Sequence, residues 1–319
     1  MFKLAEDRSA TGADLRNVVM ETLQSLIAEN DKVVMLEADL GGASNSLKIK
    51  ASNPDNFIEC GISEANMMGV AAGMSSEGYI PFVHTFAPFI ARRAFDQVFL
   101  SGAYAHNTIN MYGSDPGFSV AANGGTHTSF EDVAIMRTIP HARVFDVADA
   151  VQMAWVVKTC AGLPGINYFR GDRKAIRNVY AEGSEFELGK GNVLREGSDV
   201  LIISAGRLVS DALDAAENLE KQGISAEVID MFCIKPLDEE LVLSEAKGKK
   251  AVVTFENHGV IGGLGDAVAS VLAENAVAVP FKRHGIVEQF GQVGTADWLQ
   301  KEFKLTASDL EETVKGLLA

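Results

Sequence analysis

Short apolar runs alternate with stretches of helical periodicity along nearly the whole chain, and few architectures accept that order. KVVML, FIECG, YIPFVHTF, NTINMYG and ARVFDV read as strands. Between them lie helical segments, the first carrying Leu15, Val18, Val19, Thr22, Leu23, Leu26 and Ile27 at the spacing of one helix face. Strands separated by helices predict predominantly parallel sheets covered by helices, an α/β fold. A second series follows with DVLIISAG, a periodic helix through Leu219, ISAEVIDM, KAVVTFENH, an alanine-rich helix after Ile261 and a terminal amphipathic segment with Leu310, Val314 and Leu317. The segment between the series, roughly residues 171 to 192, is rich in charge and glycine, so two consecutive domains are expected, residues 1–180 and 181–319.

Hydrophobic residues make up 47% of 319, enough to build both cores without staples. Cys60, Cys160 and Cys233 lie far apart and form no metal-ligand pattern, which suits a reducing compartment; the cytoplasm is expected. No apolar stretch is long enough for a bilayer, and no membrane association is expected. The net charge of -15 works against nucleic acid and anionic lipid as partners, while leaving room for a local basic pocket.

Several residues stand out by chemistry. Ser63 and Glu64 open a helical stretch in GISEANMMG, where a carboxylate either favours the positive helix end or, if buried, serves as a proton donor or relay. Phe86 and Phe89 fall where a strand gives way to a helix, positions that are usually core, and ARRAFDQV after them reads as helix-forming, with Arg92 and Arg93 solvated or at an interface. Asp39 ends a strand and is a natural turn acceptor. GSDPGFSVAANGGTHTSFED is too glycine-rich for a regular helix and reads as a pocket loop carrying Asp115, Asn123 and His127. VIGGLG lacks the spacing of a dinucleotide fingerprint, the histidines form no HExxH, and His258 is read as packing the C-terminal half. No metal site is expected in this chain.

The order EADLGG, GISEANMMGVAAG, TFAPFIARRAFDQ and GGTHTSFEDVAIMRTIP resembles the pyrimidine-binding domain of the transketolase family, especially its split two-subunit forms. ENHGVIGGLGDAVA resembles that family's C-terminal domain, so the resemblance covers nearly the whole chain. It implies thiamine diphosphate as cofactor, with Glu64 at N1' of the aminopyrimidine, Phe86 stacking on that ring, Phe89 at its edge and Asp39 in its polar network. It implies catalytic roles for Glu64 and His127, the latter donating to donor-sugar hydroxyls or stabilising developing oxygen charge. Arg173, with Arg170 as the register alternative, matches an arginine that holds a sugar phosphate; Arg8 matches another, and Ser44 lies near a serine that reaches substrate. Asp115 stands where phosphosugar transketolases carry a histidine, and Ala122-Asn123 replaces a Glu-Asp pair, departures that leave the reaction class safer than the usual sugars.

The GDG-led diphosphate motif of complete thiamine enzymes does not occur in this sequence. The resemblance therefore implies an N-terminal diphosphate-binding partner subunit that ligates Mg2+ or Ca2+, and an α2β2 heterotetramer. The expected activity is transfer of a two-carbon ketol unit from an anionic ketose to an aldose. Alternatives are the beta-type subunit of another thiamine enzyme, similar to deoxyxylulose-phosphate synthase or a 2-oxoacid dehydrogenase, and a noncatalytic assembly or regulatory subunit.

Overall fold

The computed structural model describes residues 1–319. The expected strands form, β1 (Val33–Glu37), β2 (Phe57–Glu59), β3 (Ile80–Phe86), β4 (Ile109–Ser114) and β5 (Arg143–Asp146), and β6 (Ile166–Gly171) joins them in the first half. The second half holds β7 (Asn192–Arg195), β8 (Val200–Ser204), β9 (Ala226–Asp230), β10 (Cys233–Lys235), β11 (Ala251–Gly259) and β12 (Phe281–Ile286). They assemble into a seven-stranded sheet, β10-β5-β6-β4-β3-β1-β2, and a five-stranded sheet, β12-β11-β8-β9-β7. All pairings are parallel except those of the edge strands β10 and β7. No helix is long and apolar enough to cross a membrane.

The two sheets are interlocked. ISAEVIDM forms β9, but the chain then turns back and β10 closes the open edge of the first sheet against β5. One apolar cluster runs from Val34, Met67 and Tyr168 around the first sheet to Ile203, Ile229 and Leu264 around the second. Asn257 on β11 bridges to the glycine-rich loop, accepting from the Phe118 backbone N–H at 3.1 Å and donating to the Pro116 carbonyl at 3.1 Å. Gly117, at φ 60, lies so close to this amide that an added Cβ would collide with it. At the centre Arg170 is 1% exposed and bonded to Asp132, Asp146 and the Asn257 carbonyl, a polar clamp across both halves.

Strand order also places the site. From β1 the chain moves outward to β2, then returns to the other side of β1 for β3, so the connections leave in opposite directions at the carboxyl ends of β1 and β3. Open α/β sheets form their crevice at such a switch point. Asp39 follows β1 at φ 58 and Asp115 follows β4 at φ 50, left-handed turns that swing the loops away from the sheet edge.

Asp230, at the end of β9, is buried and accepts from the Tyr180 hydroxyl and from Gln152, while its second oxygen finds no partner. Burial, with Asp149 and Asp146 nearby, pushes its carboxyl up to about 7. The folded chain thus keeps a proton that the unfolded chain loses from about 3.8 upward, and this residue's contribution to stability falls as pH rises toward about 7. Asp230→Asn should gain about 1–3 kcal/mol over the wild type near pH 8 and much less near pH 5, read by denaturant unfolding at both values.

Candidate active site

Side chains from the carboxyl ends of several strands and from one helix start meet at this crevice. Glu64 is the first residue of the helix Glu64–Ser76, whose positive end faces its carboxylate. Ser63 precedes it at the N-cap position, where a serine usually caps, but makes no side-chain cap here. Glu64 is 5% exposed, and its carboxylate accepts from Arg93 Nη1 at 2.7 Å. Phe86 ends β3, and Phe89 opens a π-helical turn, Phe89–Arg93, in place of the regular helix that ARRAFDQV suggested. Such wide turns occur preferentially at functional sites; here the turn carries Phe89 and Arg93 together, with the guanidinium 3.8 Å from the Phe89 centroid.

His127 completes an aromatic corner. Its ring lies edge-on to Phe86 at 5.5 Å and to Phe89 at 5.0 Å, and the two phenyl rings are 5.9 Å apart, also edge-on. Burial and the charges of Arg93 and Arg173 hold its imidazole below the ordinary value, so it is neutral at neutral pH. Thr126 Oγ1 lies 2.9 Å from Nδ1. A hydroxyl proton donated there leaves Nε2–H as the free donor toward the crevice.

Arg173 lies over Phe86 at 4.7 Å, and Asp115 holds it by accepting from its backbone N–H at 2.7 Å and from Nε. Burial raises the Asp115 carboxyl above its ordinary value, with the Arg173 charge opposing that rise. Asn123 is exposed on the same loop, and Asp39 is exposed at the mouth, its N–H donated to Glu59 at 2.8 Å.

Three expected substrate contacts lie elsewhere. Arg170 is enclosed: burial opposes its charge, but Asp132 and Asp146 outweigh it and raise its pKa, and no face is left for a ligand. Ser44 is fully buried and donates to Glu37 at 2.7 Å. Arg8 is tied to Glu217 on the helix Val209–Glu220, apart from the aromatic corner. His258 is a packing residue as expected; burial drives it down to about 4, and Nε2 accepts from the Ala134 N–H.

Two features escaped the sequence reading. Arg93 is solvent-exposed as expected, but it also pairs with the buried Glu64. Beneath the crevice lies a buried network in which His84 joins Glu37 at 2.8 Å and Ser114 at 2.9 Å, while Ser44 and Ser46 donate to the other Glu37 oxygen. Burial pushes the Glu37 carboxyl up, but His84 and the two hydroxyls outweigh it and leave it lowered. The available signal was a histidine and a glutamate inside otherwise apolar strands.

Residues 11–178 match the model of the transketolase pyrimidine binding domain, and residues 189–310 match that of the transketolase C-terminal domain. The chain belongs to the transketolase family. It is 45% identical, over 93% of its length and 92% of the relative's, to the 6-deoxy-6-sulfo-D-fructose transketolase subunit SqwH of Clostridium sp. (strain MSTE9). It is 37% identical, over 92% and 93%, to a putative transketolase C-terminal section of Methanocaldococcus jannaschii. A solved structure described as a split gene transketolase, inactive beta4 tetramer, superposes with a TM-score of 0.89 at 39% identity over 96% of this chain and 99% of that one. The chain thus has the pyrimidine-binding and C-terminal domains of a split transketolase subunit, and membership in this family implies thiamine diphosphate dependence.

Proposed function

We propose that this chain works with a diphosphate-binding partner subunit to transfer a two-carbon ketol unit from an anionic ketose to an aldose. The observation that carries the reading is Glu64, a buried carboxylate at a helix start beside the Phe86, Phe89 and His127 corner. The residues fit a thiamine aminopyrimidine. The Arg93 guanidinium, a planar group with N–H donors, already lies on Phe89 and donates to Glu64, so the corner takes a flat, nitrogen-bearing group between its aromatic rings and its carboxylate. When bound, thiamine diphosphate supplies the nucleophilic carbon and the electron sink that carry the two-carbon unit.

This chain's groups have distinct tasks. Glu64 holds a proton between its carboxyl oxygen and the pyrimidine ring nitrogen. Phe86 and Phe89 orient the ring and keep water from it, and Asp39 joins the polar rim. His127 Nε2–H donates to a sugar oxygen, and Arg173 binds the anionic tail, with Asn123 at the loop's outer edge. The partner subunit grips the diphosphate through Mg2+ or Ca2+, and pairing of split subunits gives a heterotetramer in the cytoplasm. The sulfosugar in the name of the Clostridium relative supports a sulfonated ketose as donor.

Phe86→Ala should weaken thiamine diphosphate binding about fivefold or more, since an aromatic pair contributes on the order of 1 kcal/mol beyond burial; cofactor titration of the assembled complex reads this. The donor is tested by steady-state ketol transfer from 6-deoxy-6-sulfofructose to a panel of aldoses. Cofactor-dependent product formation supports the proposal, and absence of transfer from sulfonated and phosphorylated ketoses alike sinks it.

A further inference from the structure

The anion subsite beside Phe86 contains its own counter-ion. Asp115 leaves β4 in the left-handed region and is 4% exposed, so its carboxylate is fixed by backbone and burial. It engages Arg173 through the backbone N–H and Nε, while both terminal amino groups of Arg173 donate to nothing in the chain. The guanidinium is therefore aimed, with its outer edge open and its face against Phe86. The neighbouring arginines are matched in the same way. Arg207 is paired with Asp172, which also accepts from Ser119, and Arg93 is paired with Glu64. His127 adds no positive charge at neutral pH. Three arginines face three carboxylates, and the subsite is close to neutral.

A guanidinium edge suits any tetrahedral anion. A sulfonate carries one negative charge at all working pH values, whereas a phosphate monoester carries about 1.5 to 2 at pH 7. The extra charge on phosphate would lie next to Asp115 with no unmatched arginine to receive it. We infer that Asp115 is a specificity-determining residue, which aims Arg173 at the sugar's anionic tail and sets the subsite to prefer a singly charged sulfonate over a doubly charged phosphate. This rests on the ketol-transfer reading above. Asp115 is thereby a positioning and selecting group rather than a substrate contact.

The test compares kcat/KM for 6-deoxy-6-sulfofructose and its 6-phosphate counterpart in the assembled wild-type complex and in Asp115→Asn. Asparagine can still accept from the Arg173 N–H but carries no charge. The wild type should favour the sulfonate, and the variant's sulfonate-to-phosphate ratio should fall about tenfold or more. As a measurement independent of the variant's folding, methanesulfonate should inhibit the wild-type complex at lower concentration than methyl phosphate near pH 8. An unchanged ratio in an active variant, or stronger inhibition by methyl phosphate, overturns the role of Asp115 while leaving ketol transfer intact. No transfer from either donor by the wild-type complex overturns both.

Discussion

Glu64→Gln in the assembled enzyme should lower kcat by about 10²–10⁴-fold, the usual contribution of a positioned acid or base. The substitution keeps the side chain's length and an oxygen for Arg93, so the helix start and the Glu64 corner should stay in place. An amide cannot give up or take on the proton that a carboxyl exchanges with a ring nitrogen, and that is the function at issue. The loss should therefore fall on kcat, with unfolding midpoint and subunit assembly unchanged. If turnover at saturating cofactor stays within a few-fold of the wild type, Glu64 is not the group that acts on the pyrimidine.

The largest stability effect should come from a buried residue with no contact to the aromatic corner. Arg170→Met removes the cation shared by Asp132 and Asp146, which are held at 3.0 Å and 2.6 Å in the protein interior. Breaking a buried pair from one side typically costs about 3–5 kcal/mol, because the carboxylates keep their desolvation and lose their compensation. Tyr168 still donates to Asp132 at 2.6 Å, which satisfies only part of the deficit. The Asn257 carbonyl also loses its donor, so the contact between the two sheets weakens as well. Urea unfolding of the chain should show a markedly lower midpoint, and a wild-type midpoint would contradict the clamp.

Both results bear on what the sequence could reveal. The central strands were legible because a parallel strand buried on both faces is a near-continuous apolar run, as VVML in β1 and VLII in β8 are. β12, FKRHGI, is a polar edge strand, and β10 has three residues placed by a partner far away in sequence; neither carries a local signal. The π-helical turn at Phe89–Arg93 was hidden for a similar reason, since its residues are ordinary helix formers.

The site divides along the same line. Glu64, Phe86, Phe89 and His127 belong to motifs with their own order and spacing, and the fold brings them together. The Arg93–Glu64 pair joins residues 29 apart and depends on how one helix start meets the turn after β3, which periodicity does not encode. Arg170 and Arg173 look equivalent in YFRGDR. Alternation along β6 sends Arg170 into the clamp, while Arg173, beyond the strand end, reaches the crevice. Arg8 and Ser44 likewise carried chemistry suited to substrate, and their commitments to Glu217 and Glu37 appear only in three dimensions.

The proposed function puts this chain on the pyrimidine side of a shared thiamine site. Native mass analysis of the complex purified from cell extract, coupled to a ketol-transfer assay with and without thiamine diphosphate, tests it most directly. The expected result is a heteromeric assembly with a diphosphate-binding subunit, cofactor bound, and transfer that disappears when the cofactor is removed. A homo-oligomer of this chain alone, binding no cofactor and transferring no ketol unit, would contradict it.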